Sequence, residues 1–134
     1  MDNWVVKLSF EDPSTWGPLF QVAAQYGVDP GVPLESEAFF TALFDRYDGP
    51  DDDEAVAAWL HDEIPRAFVS INGEKPNWIQ GAEWPFHNGR PMVFAGQLEV
   101  PGGNSNAASF YRDDTSLYLF IAPHAEPMVI IQQY

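Results

Sequence analysis

The hydrophobic spacing of this chain changes period once, near residue 67, and that change removes most fold classes from consideration. Up to residue 65, apolar side chains recur three and four apart; from residue 67 onward, β-branched and aromatic residues alternate between Gly, Asn and Pro punctuation. Helices first and strands afterwards argue against alternating βαβ units. The order predicts an α+β fold, with N-terminal helices packed on a mostly antiparallel C-terminal β-sheet. A length of 134 residues suits a single domain over residues 1–134, with 1–65 mainly helical and acidic and 66–134 mainly β. Apolar residues make up 46% of the chain, too many for a disordered polymer even at its charge.

Local signals place the elements. An opening strand is expected over residues 4–10. A first helix starts with Pro18 as its first residue, carries Leu19, Phe20, Val22, Ala23 and Tyr26 as a stripe, and stops at Gly27. A second spans residues 35–47 with Phe39, Phe40, Leu43, Phe44 and Tyr47 on one face, and Gly49 ends it. A third follows Pro50, with Asp51 as its cap; it places Val56, Trp59, Leu60 and Ile64 together and stops at Pro65. Strands are expected at 67–71, with a turn at 72–77, and at 91–100. A hairpin turning at residues 113–116 comes next, and a last strand begins near Met128.

Charge is the strongest compositional fact. Six Lys and Arg against twenty Asp and Glu give a formal net charge of -14. Residues 1–65 hold fourteen acids against Lys7 and Arg46; residues 66–134 hold six acids against Arg66, Lys75, Arg90 and Arg112. A field of that sign repels nucleic acid and anionic membranes and attracts basic proteins or cations, although acidity also serves solubility. No cysteine is present, which excludes disulfides, thiolate metal sites and cysteine nucleophiles. The first ten residues carry an acid before the first lysine and too short an apolar run for a signal peptide or a span, so a soluble, cytoplasmic protein is expected.

One segment holds a dense cluster: residues 83–100 read EWPFHNGRPMVFAGQLEV. The pair Trp84–Pro85, the run from Gly89 through Leu98, and the later Leu117-Tyr118-Leu119-Phe120 together resemble the YwqG-like family of bacterial proteins. There a Trp-Pro pair precedes a G-x-P-x-x-F-x-x-Q strand, and a later strand ends in an aromatic pair. The resemblance covers roughly residues 76–122. It implies a mixed α and β fold, brings no established activity, and transfers no catalytic residue; this chain is short for the family, so the second part of the longer fold is expected to be missing. The residues also have a structural account of their own. Pro91 suits a strand start, Gly96 marks a bulge or a close backbone approach, and Gln97, on the Val93 face, can satisfy backbone groups of the irregular segment 76–85 with its amide.

Chemistry finds little support. His61, His87 and His124 are scattered over a helix, a loop and a strand end and form no metal-ligand spacing. Glu83 and His87 could make an acid–base pair across a turn, yet no nucleophile or oxyanion motif accompanies them. The run DDDE at 51–54 lacks the glycine and alternation of a calcium loop, and its place at a helix N-terminus, where the dipole favours negative charge, accounts for it. GGNS at 102–105 opens no helix and so is no phosphate cradle. The sequence thus implies no catalytic residue, no metal and no cofactor. It points to a non-enzymatic protein-binding domain, most concretely a bacterial immunity protein that neutralises a basic cognate toxin, a secreted effector, through Asp45, Tyr47, Asp48, Asp51, Asp52, Asp53, Glu54, Asp62 and Glu63. Trp59 belongs either beside these as an aromatic anchor or in the core stripe. A second reading is a small-molecule or carbohydrate-binding domain using Trp78, Trp84, Phe86 and Tyr111 if exposed; an enzyme built on Glu83 and His87 is a third.

Overall fold

A computed structural model describes the backbone of residues 13–102 and 114–133, with side chains from residue 17. Three helices, α1 (Pro13–Gln25), α2 (Leu34–Asp45) and α3 (Asp53–Ala67), precede a two-stranded hairpin, β1 (Phe86–His87) and β2 (Arg90–Pro91). A three-stranded antiparallel sheet follows, β3 (Val93–Val100), β4 (Thr115–Ile121) and β5 (Met128–Gln133), in the order β3-β4-β5. The fold is therefore α+β, as the change of period predicts. The opening strand expected at residues 4–10 and the segment 103–113 lie outside the described residues.

Each helix departs from its expected ends for a local reason. Helix α1 starts at Pro13, not Pro18; Pro13 fills the first helical position, where no amide donor is needed, and Pro18 is carried inside. Its far end is a Schellman closure: Gly27, at φ +78°, donates to Ala24 while Val28 donates to Ala23. Phe20, expected on the buried stripe, is 42% exposed, whereas Leu19, Val22 and Ala23 are buried. Helix α2 ends at Asp45, before Tyr47 and Gly49, with Arg46 closing its last turn. Helix α3 is capped by Asp52, not Asp51: the Asp52 carboxylate accepts from the Ala55 amide at 2.9 Å. It runs through Pro65 to Ala67. Pro65 has no N–H to offer the His61 carbonyl four residues back, and the Tyr26 hydroxyl approaches that oxygen at 3.4 Å.

The strands are shorter than the sequence suggests. Because α3 continues to Ala67, the expected strand at 67–71 is reduced to one parallel bridge, Ser70 to Phe94, flanked by hydrogen bonds from Phe94 to Val69 and from Ile71 to Phe94. The expected strand at 91–100 is divided at Met92. Its first part folds back on β1 through Asn88 and Gly89, both at positive φ, the conformation that a two-residue Asn-Gly hairpin loop requires. Of the turn expected at 113–116, Thr115 and Ser116 belong instead to β4 and pair with Val100 and Glu99, and residue 113 lies outside the described residues. Met128 opens the last strand as expected.

The bulge expected at Gly96 is present: the β3–β4 register shifts between Phe94 and Gly96. Among the described residues nothing lies within 4 Å of a Cβ built on Gly96, so no close backbone approach there accounts for the glycine. One extra residue reverses the alternation. Gln97 therefore stands opposite Tyr118, on the same inner face as the Phe94–Phe120 pair, and not on the Val93 face. Helices and sheet share one core in which rings follow one another: Phe40 stacks on Phe68, Phe68 meets Trp84 edge-on at 5.3 Å, and Trp84 meets Phe120 at 5.4 Å. The sheet's other face leaves Leu98, Leu119, Val129 and Ile131 exposed.

Candidate functional site

The expected recognition residues gather around the connection between α2 and α3. This connection is pinned at two points, by the Tyr47 hydroxyl donating to the Pro50 carbonyl at 2.6 Å and by the Asp52 cap. Gly49 is needed beneath that tyrosine, because a Cβ there would lie 2.6 Å from its hydroxyl oxygen. Asp48, Asp51, Asp53 and Glu54 are exposed and make no side-chain hydrogen bond or ion pair among the described residues. Asp45 is exposed as well. Asp62 and Glu63 are placed differently: Asp62 pairs with Arg66 at 2.8 Å, and Glu63 lies 3.9 Å from the same guanidinium. The corner therefore offers four uncommitted carboxylates on a fixed backbone.

Tyr47 is not a free anchor. It is half-buried, with its ring 4.7 Å from that of Trp59, which in turn packs on Phe44. Trp59 belongs to the core side of α3. Burial, and then the negative charges of Asp52 and Asp51, raise the pKa of the Tyr47 hydroxyl. The phenol stays neutral and serves the turn.

A second polar constellation holds the irregular segment 77–83 on the inner sheet face. Each strand supplies one side chain. From β3, Gln97 accepts from the Asn77 amide at 2.8 Å and donates to the Asn77 carbonyl at 3.1 Å and to the Ser116 hydroxyl at 3.2 Å. From β4, the buried Tyr118 hydroxyl donates to the Asn77 carbonyl and accepts from the Ile79 amide. From β5, the buried Gln132 accepts from the Ile79 and Gln80 amides at 2.9 and 2.8 Å and donates to the Gly81 carbonyl and the Glu83 carboxylate, both at 2.7 Å. These bonds satisfy backbone groups that no strand partner serves. The role expected of Gln97 is confirmed. Gln132 was missed, although alternation along β5 places it on the face of the half-buried Ile130.

The remaining candidates are dispersed. Glu83 is engaged by Gln132, and His87 lies 3.3 Å from the Asn88 amide nitrogen, so no hydrogen bond links this acid to this base. His61 contacts the Tyr26 hydroxyl at 3.0 Å, and His124 occupies a positive-φ position between β4 and β5. Trp84 is 1% exposed and donates its indole N–H to the Met92 carbonyl. Trp78 stacks on Tyr118 and donates to the Gly27 carbonyl, and Phe86 packs on Phe39 and Phe68. Tyr111 lies outside the described residues. Among the described residues, no group of three His, Asp or Glu side chains could hold a metal ion, and no helix is long and apolar enough to cross a membrane. No family model, curated protein or solved structure matches the chain.

Proposed function

We propose that this protein is a non-enzymatic protein-binding domain whose partner is basic, and most concretely a cytoplasmic immunity protein that masks a cognate toxin delivered as a secreted effector. The observation that carries this reading is the α2–α3 corner, where Asp48, Asp51, Asp53 and Glu54 stand exposed and uncommitted on a backbone fixed by Tyr47 and Asp52. A carboxylate already paired inside its own chain adds little to a complex. One that is free, exposed and held in place steers a cationic partner and meets its Lys and Arg side chains with little ordering cost. The net charge of -14 extends that attraction over the encounter distance.

The likeness of residues 76–122 to YwqG-like proteins is kept as part of this proposal and adds no activity to it. The carbohydrate-binding alternative draws no support from Trp78, Trp84 and Phe86, whose rings are engaged internally.

The test is recovery of the tagged chain from its own cells, followed by expression of the co-purifying protein alone. The reading expects a basic protein that arrests growth by itself and is relieved by the parent chain, but not by a variant with Asp48, Asp51 and Asp53 changed to Asn and Glu54→Gln. Asp52 stays unchanged, to spare the cap. Recovery of a retained sugar or metabolite with no protein partner, or full relief by the variant, overturns it.

A further inference from the structure

Three of the chain's six basic residues converge on one groove, although each stands on a different element. Arg46 closes the C-terminus of α2, Arg66 lies in the last turn of α3, and Arg90 opens β2. Between them is a cavity of about 570 Å³, with Phe39 and the small side chains of Ala38, Ala42 and Ala67 along it. The alanines leave open the volume that longer side chains would occupy. Phe39 is fixed by ring contacts to Phe40 at 5.2 Å, Phe68 at 5.4 Å and Phe86 at 5.9 Å, so its position is set by the core.

Helix dipoles favour bases at helix C-termini, which accounts for Arg46 and Arg66 one at a time. That effect does not reach Arg90, which is on a hairpin, nor does it explain the apolar side chains that line the same groove as the three arginines. Their charges are unequal in availability. Arg66 is engaged by Asp62 and Glu63, whereas Arg46 and Arg90 make no side-chain hydrogen bond or ion pair among the described residues. Glu35, also on the groove, is likewise unpaired. Along the lining, Arg46 and Arg90 face one carboxylate, Glu35, while Asp62 and Glu63, which offset Arg66, lie outside it, so the groove suits a single negative charge and not a polyphosphate. Guanidinium groups match the planar, two-oxygen geometry of a carboxylate, and the ring and methyl surface suits an apolar group attached to it.

We propose that this groove binds a carboxylate carried on an apolar group, with the carboxylate taken by Arg46 and Arg90 and the apolar group resting on Phe39 and the alanines. Either a free organic acid or the carboxyl terminus of a polypeptide presents that chemistry. The site does not depend on the acidic corner, and the experiment below leaves that corner intact.

The test is an amide NMR titration of the full chain with four probes: hydrocinnamate, hydrocinnamamide, a tripeptide ending in a free-carboxyl phenylalanine, and that tripeptide as its amide. The proposal expects saturable shifts at Phe39, Arg46, Gly89 and Arg90 with the two carboxylates. It expects markedly weaker binding of the two amides, and a loss of about tenfold in affinity for the Arg46→Gln/Arg90→Gln variant. Should that double variant be misfolded, Arg90→Gln alone, an exposed hairpin residue, should still weaken carboxylate binding severalfold. Tighter binding of the peptide than of hydrocinnamate upholds the proposal and assigns the source to a polypeptide terminus; the reverse upholds it and assigns a small acid. The absence of saturable shifts overturns it, as does equal binding of acid and amide, or unchanged affinity in a folded arginine variant.

Discussion

Gln132 shows how one residue can decide the conformation of a distant segment. Its amide makes four hydrogen bonds to residues 79–83 while 2% exposed, so removing it strands the Gln80 amide, the Gly81 carbonyl and the Glu83 carboxylate together, while the Ile79 amide keeps the Tyr118 hydroxyl. Gln132→Leu should lower stability by about 3 kcal/mol, because each unsatisfied buried group costs roughly 1 to 3 kcal/mol and some will find water. Gln97→Leu should cost nearer 1 kcal/mol, since Gln97 is half-buried and water can reach Asn77. Urea midpoints of the two variants check the ranking; equal costs would show that burial does not govern this clamp. Tyr47 gives a prediction in pH. Its folded pKa lies above its ordinary 10.0, so as pH rises past 10 the unfolded chain ionises first and stability falls until the folded pKa is passed. Parent protein should therefore lose more stability between pH 8 and pH 10.5 than Tyr47→Phe does, a comparison in which the other tyrosines cancel.

At the scale of elements, structure is legible in the sequence where a side-chain period carries the signal and much less so where the signal is a boundary. The buried faces of α2 and α3 hold the expected Phe40, Leu43, Phe44, Val56, Leu60 and Ile64. The end of α3 moved because proline is a weaker stop than it reads: Pro65 forgoes one helical bond near a C-terminus, and helix continues for two more residues. That extension consumed the start of the expected strand at 67–71. The face of Gln97 could not be read because a single bulge inverts every residue after it, and a bulge is defined by pairing with a strand some twenty residues away. The α3 cap is testable directly. Asp52→Ala should cost about 1 kcal/mol through loss of the bond to the Ala55 amide, whereas Asp51→Ala should stay within about 0.5 kcal/mol of the parent. Thermal unfolding of the pair distinguishes them, and equal losses would contradict the assignment of the cap.

Over the whole molecule, division of labour follows the change of period. The β half spends its polar side chains internally, on the amide clamp that holds residues 77–83, while the α2–α3 corner keeps four carboxylates free on its surface. The acidity was legible from composition, but which acids are free was not, because the Asp52 cap and the Asp62–Arg66 pair depend on helix register. The groove between Arg46, Arg66 and Arg90 was invisible in sequence, since those residues are up to 44 positions apart and meet only when α2, α3 and the hairpin assemble. The most direct test of recognition by the acidic corner is the association rate of the purified protein with its partner at low and at physiological salt. Parent chain should associate about tenfold more slowly at the higher salt, where the screening length is about 8 Å; the variant neutralised at Asp48, Asp51, Asp53 and Glu54 should start slower and respond less. An association rate indifferent both to salt and to the four substitutions would contradict the account and place recognition elsewhere on the molecule.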